Sequence, residues 1–170
     1  MSSDQVIVVE LPDTISQEIA RTQLSDDDFD EEAALGHTKL RRLREESESM
    51  RKLEPMVKQI VDQITTKVKD MTQRDPGKPA IRVLDIIRGS MISSSPTFIL
   101  ALPRRQDPER APKLPVVVFT ESGKLIKVRF WGFCEFGCRG YLLKSGINMT
   151  VKDSVSILMV RFDDLDVENT

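Results

Sequence analysis

Two cysteines and one histidine are the residues of this chain whose types could hold a zinc ion through sulfur or imidazole or could form a thiol–imidazole nucleophile. Cys134 and Cys138 are separated by three residues, and His37 lies far upstream of both. A structural zinc site takes four such ligands at defined spacing, and a redox dithiol takes cysteines separated by two residues. The sequence therefore predicts no metal and no cofactor, and it favours reduced thiols that pack as small apolar side chains.

The sequence also lacks the other common catalytic patterns. Gly132, Gly137 and Gly140 match neither of the glycine-rich nucleotide fingerprints. A serine–histidine–aspartate triad would have to use His37, which lies in an acidic segment. Hydrolysis by carboxylates alone stays open, because any two of the 27 acidic residues could converge. We expect a protein that is not an enzyme and has no catalytic residues.

Charge is unevenly distributed along the chain. Residues 1–37 contain ten acidic residues and one arginine, whereas residues 38–170 contain 24 lysines and arginines and 17 acidic residues. The net charge of −2 therefore conceals a negative leader joined to a basic remainder. This asymmetry suggests an anionic partner for the basic part, or a leader that competes with that partner. The alternative is a solvated acidic tail without a target.

Anion binding is the function that the basic residues favour. Lys127 and Arg129 alternate along a predicted strand and therefore share a face. Next to exposed aromatic rings such a surface would suit single-stranded RNA, and it would equally suit an anionic lipid surface. The alternative is that these bases solvate a strand whose other face is buried. The candidate residues for binding an anion, a nucleic acid or a lipid are Arg104, Arg105, Arg110, Lys113, Lys124, Lys127, Arg129, Arg139 and Lys144.

The elements that would position these residues fall into three predicted segments. Residues 1–37 form an acidic flexible arm, residues 38–74 form a helical segment, and residues 75–170 form an α+β core domain. The turn sequence from Asp75 to Pro79 marks the last boundary.

Within the arm, the run from Ser25 to Glu32 carries too much like charge to order itself. A short strand is predicted from Gln5 to Val9. Thr14 and Gln17 resemble a capping box that opens a short helix.

The helical segment has a heptad pattern of apolar residues, at positions Leu43, Met50, Val57, Ile64 and Met71. Because proline interrupts helices, Pro55 predicts two helices that separate near Glu54. The second helix should pack either on the core of its own domain or, as a coiled coil, on a second copy. The candidate self-association residues are Val57, Ile60, Val61, Ile64 and Val68.

Residues 75–170 change from a helical to a β pattern. Pro79 to Gly89 is predicted as a helix, although Ile81, Val83, Asp85 and Ile87 also alternate like a strand. Glu121-Ser-Gly-Lys124 is a predicted hairpin turn. The expected fold is α+β, with an N-terminal disordered arm and helices followed by an antiparallel sheet of about five strands. The predicted strands are Thr97–Leu102, Pro115–Thr120, Lys124–Phe133, Arg139–Leu143 and Ser154–Phe162.

No apolar run in the sequence approaches the roughly 18 residues needed to cross a bilayer. The first residues, MSSDQVIVVELPD, carry an acid where a secretory signal would be basic. We therefore expect a location in the cytosol or the nucleus.

One block resembles the later part of rhabdovirus matrix proteins of the plant-infecting type. It runs from Cys134 through Arg139-Gly-Tyr-Leu-Leu143, continues with the alternating strand Val155–Phe162 and ends at Asp163-Asp164, about 30 of the 170 residues. The chain departs from the animal-virus members because it has no P-P-x-Y motif and its leader is acidic.

The resemblance implies a self-associating virion protein that condenses nucleoprotein and contacts the inner face of a membrane in the host cytoplasm. The expected function is accordingly a non-enzymatic structural protein. Two alternatives are an RNA-binding regulator with an autoinhibitory acidic arm and a helix-mediated adaptor.

Overall fold

A computed structural model describes residues 6–22, 24, 26–31, 33–35, 37–102, 116–130, 139–152 and 154–163. Strands dominate this part of the chain, with two α-helices and a short 3-10 turn at Asp26–Asp28. The elements are β1 (Val6–Glu10), α1 (Asp13–Ala20), β2 (Ala33–Leu35), β3 (Thr38–Arg42), α2 (Glu48–Thr72), β4 (Ala80–Ile92), β5 (Thr97–Leu102), β6 (Val116–Glu121), β7 (Lys124–Phe130), β8 (Arg139–Leu143), β9 (Ile147–Val151) and β10 (Val155–Arg161).

The strands form one large curled antiparallel sheet. Its order is β1-β8-β5-β10-β4-β9-β6-β7, and β3 joins β4 with β2 beside it. The expected α+β fold with a disordered arm and a sheet of about five strands is therefore wrong. It failed because β3 and the first half of β4 gain their strand partners from distant parts of the chain. The strand predicted within the arm does form, as β1, but it joins the same sheet by pairing with β8. Local periodicity does not report such pairing.

The long strand β4 divides the sheet into two parts. Residues 80–86 pair with β10, whereas residues 89–92 pair with β9. We call β1-β8-β5-β10-β4-β3-β2 the helix-backed sheet, and the end of β4 with β9, β6 and β7 the outer sheet. Gly89 lies at the division with a φ of +125°, and a Cβ there would lie 2.5 Å from the Cα of Thr38. Glycine is needed at this point.

The segment predicted as a helix, Pro79–Gly89, is instead the first part of strand β4, which begins at Ala80. The alternating pattern was the correct indication, and Gly89 marks a change of pairing partner within β4 rather than the end of a helix.

Two hydrophobic cores lie on the two faces of the helix-backed sheet. One packs this sheet against α1 and α2, through residues such as Ile60, Phe98 and Leu158. The other packs it against the outer sheet, through residues such as Ile86 and Phe119. Strands β5 and β10 lie between the two cores and are buried on both faces, which explains their continuous apolar sequences.

Helix α2, the longer of the two helices on the helix side, is continuous from Glu48 to Thr72. The hydroxyl of Ser47 accepts the Met50 amide hydrogen at 3.1 Å and caps its start, and Gln73 ends it with a left-handed φ of 57°. The predicted break at Pro55 is wrong. Pro55 lies on the exposed side, as does Arg51, whose carbonyl would otherwise bond to residue 55. Water can donate a hydrogen bond to the Arg51 carbonyl, and the apolar side chains on the buried face of α2 hold the helix on the sheet.

The described residues of the predicted flexible arm pack into the same structure. β1 pairs with β8, and Leu11, Ile15, Ile19 and Leu24 are buried in the helix-side core. Helix α1 begins at Asp13 without a side-chain cap, so the predicted capping box does not form. The helix-side core contains residues on both sides of the predicted boundary at residue 75. Strand β3, before this boundary, also pairs with β4, which follows it.

The acidic run is fixed by specific contacts. Phe29 is buried, and its backbone forms an isolated antiparallel β-bridge with Leu43. The Asp28 carboxylate accepts a hydrogen bond from the Ser49 hydroxyl at 2.7 Å, near the start of α2. An acid there complements the helix dipole. Asp30 pairs with Arg44 at 3.3 Å. Partners supplied by the fold therefore offset the like-charge repulsion on which the prediction of disorder depended.

Candidate interaction surfaces

The described members of the predicted anion-binding set lie on different strands and turns of the sheet. Lys124, Lys127 and Arg129 lie in β7, Arg139 begins β8, and Lys144 follows β8. The side chains of Lys127 and Arg129 lie outside the described part of the structure, and their register partners in β6 are Phe119 and Val117. The remaining candidates lie outside the described residues altogether; they are Arg104, Arg105, Arg110 and Lys113.

Arg139 belongs to a different part of the surface from Lys144. Its register partner on β1 is Glu10, and the Arg139 Nε lies 3.6 Å from the Glu10 Oε1. The five-residue separation from Lys144 corresponds to about 17 Å along an extended strand. Arg139 is therefore already in a salt bridge with a carboxylate. Among the described residues no carboxylate forms a salt bridge with Lys124 or Lys144, although Glu121 is the register partner of Lys124.

One end of the molecule combines these two lysines with two exposed aliphatic side chains. Ile92 and Leu125, at the end of β4 and the start of β7, are 69% and 63% exposed, the large apolar residues most open to solvent among those described. They lie in one cross-strand row, Ile92-Asn148-Thr120-Leu125, through consecutive register partners on β4, β9, β6 and β7. We call Ile92, Lys124, Leu125 and Lys144 the aliphatic–lysine end.

Two turns hold the aliphatic–lysine end in place. Ser122 and Gly123 have φ values of 51° and 80°, as in the tight hairpin turns that match strand twist, and they join β6 to β7. The hydroxyl of Ser93, next to Ile92, donates to the carbonyl of Lys144 at 2.6 Å and accepts the Ile147 amide hydrogen at 2.9 Å. These bonds attach the β8–β9 turn to the end of β4 and fix the backbone next to Ile92. The β6–β7 turn fixes the backbone next to Leu125.

The described side chains of β4, β6 and β9 on the outer face of the outer sheet are uncharged between residues 90–92, 118–120 and 148–150. The inner-facing residues of this sheet, such as Phe119 and Met149, are buried, whereas the alternate residues are partly or largely exposed. The Ser90 and Thr150 hydroxyls lie 3.0 Å apart across the strands, and the Asn148 amide donates to Thr150 at 3.2 Å. The described residues of this face are Ser90, Ile92, Val118, Thr120, Leu125, Asn148 and Thr150.

The predicted self-association residues lie in the helix-side core. Val57, Ile60, Ile64 and Val68 are each at most 6% exposed, and Val61 is partly buried against the same core. The helix therefore packs on its own domain, which was the first of the two alternatives. Self-association itself stays a prediction, and these side chains could reach a second copy only if α2 left its own sheet.

A buried polar row on the helix side was missed in the sequence. Asp85 of β4 is 4% exposed and lies between its register partners Arg41 on β3 and Ser156 on β10. Its carboxylate accepts from the Arg41 Nε at 3.1 Å, from the Arg41 Nη2, and from the Ser156 hydroxyl at 3.3 Å. The Arg41 guanidinium carbon also lies 5.2 Å from the centroid of the Phe29 ring. The signal was a single acid within the apolar run of β4, but its partners depend on the register.

A groove of about 320 Å³ lies where β3 separates from β4 and the chain turns into α2. Leu43, Met50, Ile81 and Val83 give it an apolar floor. We call it the edge groove. The charged residues that line it are Asp30, Arg42, Arg44, Glu45, Glu46 and Arg82.

Neither a scan against protein-family models nor a search of curated proteins found a match for this chain. Within the described ranges, no helix has the length and apolar character required to span a bilayer. The same ranges hold no cluster of three or more histidine, cysteine or acidic side chains that could bind a metal ion. Cys134 and Cys138 lie outside the described residues, and His37 is exposed in a turn.

Proposed function

We propose that this protein is a non-enzymatic structural protein that docks peripherally on an anionic membrane and self-associates there, most like a viral matrix protein that also condenses nucleoprotein. The observation that carries the proposal is the aliphatic–lysine end, where Ile92 and Leu125 are open to solvent on the outer face, and Lys124 and Lys144 lie next to the β6–β7 and β8–β9 turns at the same end. Aliphatic side chains at such an end can enter the headgroup region of a bilayer, while the neighbouring lysines contact anionic lipids.

The expected strength of this contact explains why self-association belongs to the proposal. Burying the exposed parts of two aliphatic side chains contributes about 2–4 kcal/mol. Two lysines near an anionic surface contribute about 2 kcal/mol more. A total on the order of 5 kcal/mol corresponds to a submillimolar dissociation constant, so one copy docks weakly. Several linked copies would dock firmly, because each contact raises the effective concentration of the next.

Sedimentation with lipid vesicles tests the proposal. Wild-type protein should sediment with vesicles that contain phosphatidylserine, and less with vesicles of phosphatidylcholine alone. The double variant Lys124→Glu, Lys144→Glu should lose most of this binding. The matched control is Lys58→Glu, Lys69→Glu on the exposed side of α2, which changes the net charge by the same amount and should bind as the wild type does.

The aliphatic contribution is tested with Ile92→Ser, Leu125→Ser, which should weaken vesicle binding at both low and high salt, because apolar burial is not screened. Equal loss in the α2 control variant would show that net charge alone drives binding and would contradict the proposal. Salt-sensitive binding of single-stranded RNA by the wild type, without any vesicle binding, would instead support the RNA-binding regulator.

A further inference from the structure

The edge groove exposes a strand edge whose backbone has no neighbouring strand among the described residues. The Leu43 amide donates to the Val83 carbonyl at 2.9 Å, and β3 pairs with β4 only from residue 84 onward. On its other edge, the start of β4 pairs with β10. Carbonyls two residues apart in a strand point to the same side, so the Ile81 carbonyl faces the groove. It accepts from the Nη1 of the neighbouring Arg82 at 2.9 Å, so a side chain occupies the place of a neighbouring strand.

The groove is apolar on one face of this edge and cationic on the other. Leu43, Ile81 and Val83 belong to the helix-side core. Arg42 is the register partner of Leu84, whose side chain belongs to the core on the opposite face of the sheet. Arg82 lies two residues before Leu84 in β4, so both arginine side chains lie on the face opposite to the helices. Both arginines are exposed, and no carboxylate of the described residues forms a salt bridge with either of them.

These two faces define the segment that would fit. A strand added beside Ile81 directs alternate side chains to opposite faces, so apolar residues would meet Leu43 and Ile81 while acidic residues would meet Arg42 and Arg82. The required sequence therefore alternates acidic and apolar residues. Residues 164–168 of this chain, which lie outside the described part of the structure, read Asp-Leu-Asp-Val-Glu and have this alternation.

We propose that the edge groove binds the Asp164–Glu168 sequence of a second copy as an added strand. The inference deepens the self-association in the proposed function and rests on it. The carboxylates of the added strand pair with Arg42 and Arg82. Arg44 is already held by Asp30. Glu45 and Glu46 lie in the turn that leads into α2, and they repel acids from that end of the groove. The groove thus fixes the position of the added strand as well as its sequence.

Charge exchange between two variants tests this pairing. The groove variant is Arg42→Glu, Arg82→Glu, and the segment variant is Asp164→Lys, Asp166→Lys. Light scattering at increasing concentration should show that each variant alone associates at least tenfold more weakly than the wild type. Mixing the two should restore association, because a glutamate groove can then bind a lysine segment. The control Lys58→Glu, Lys69→Glu should associate as the wild type does, and circular dichroism checks that every variant is folded.

A labelled synthetic peptide, Asp-Leu-Asp-Val-Glu, gives a second measurement by fluorescence anisotropy. It should bind the segment variant, whose grooves are free, at least tenfold more tightly than it binds the groove variant. The scrambled peptide Leu-Val-Asp-Asp-Glu has the same composition without the alternation and should bind weakly.

Several outcomes would overturn the inference. These are a wild type that is monomeric at every concentration, two variants that associate normally, or a mixture that does not recover. Peptide binding to the segment variant without any loss of association would show that the segment occupies the groove of its own chain, or that the groove serves a different partner. Vesicle binding by Lys124 and Lys144 is measured separately, so membrane docking can hold while this pairing fails.

Discussion

The two parts of the sheet are built alike but covered differently. In the helix-backed sheet, β5 and β10 have core on both faces, and their side chains are almost completely buried. In the outer sheet, β6 and β9 alternate between buried and partly exposed residues, because only one face meets the second core. The helix-backed sheet is therefore covered on both faces, whereas no described residue covers the outer face of the outer sheet.

The same difference predicts how the two parts tolerate a new charge, and this is where the largest effect is expected. Ile64→Asp places an unpaired carboxylate where α2 meets the sheet, at a residue that is 0% exposed. It should cost more than about 4 kcal/mol and unfold the protein in part or completely. Leu125→Asp, on the outer sheet, should stay within about 0.5 kcal/mol of the wild type. Urea unfolding measures both, and similar losses would remove the distinction between the two parts.

A second effect concerns the buried charge of the helix-backed sheet. Asp85→Ala leaves the Arg41 guanidinium without its carboxylate and should cost about 3–5 kcal/mol. The double change Arg41→Met, Asp85→Leu removes both charges and should cost much less, because the penalty comes mainly from the charge left unpaired. A double variant as unstable as Asp85→Ala would show that the ion pair itself contributes most of the stability.

The junction of the two sheets should show an intermediate effect. Gly89→Ala combines a positive φ with a clash against the Thr38 backbone and should cost about 3 kcal/mol. Gly123→Ala at the hairpin of the outer sheet has a positive φ but open space around it, and should cost only about 1 kcal/mol. Thermal unfolding of the two variants separates the cost of the steric clash, present only at residue 89, from the cost of a positive φ, present at both residues. Equal losses of stability would mean that Thr38 moves aside and relieves the clash.

The smallest effect concerns the start of the helix that backs the first sheet. Ser47→Ala removes the hydroxyl that caps α2 and should cost about 1 kcal/mol. Ser47→Asp, which keeps an acceptor at this position, should unfold at nearly the wild-type urea concentration. A neutral Ser47→Ala would mean that the Asp28 contact at Ser49 already holds this end of the helix.

The parts of the fold that could be predicted are those that local sequence determines. The strand Thr97–Leu102 and the β6–β7 turn could be read from the residues themselves. The helix from Glu48 to Thr72 keeps the apolar spacing of the sequence, although Pro55 suggested a break. Phe29 shows the limit, because it lies within an acidic run whose partners, Arg41 and Ser49, become adjacent only in the folded sheet.

Candidate interaction surfaces were harder to predict than strands. Lys124 and Lys144 were among the basic candidates, but nothing in their sequence context indicated that they share one end of the sheet. Ile92 and Leu125 were not candidates, because an aliphatic residue in a strand is normally a core residue. Their exposure depends on which face of the outer sheet stays uncovered, and local periodicity does not contain that information.

The length of β4 has a consequence for any array of these molecules. This strand has Ile81 in the edge groove near one terminus and Ile92 in the aliphatic–lysine end at the other. Eleven residues of extended chain span up to about 36 Å. A copy that contacts a lipid layer through Ile92 would hold its edge groove up to this distance above the lipid. The length of β4 would therefore set the height above the membrane at which neighbouring copies bind each other.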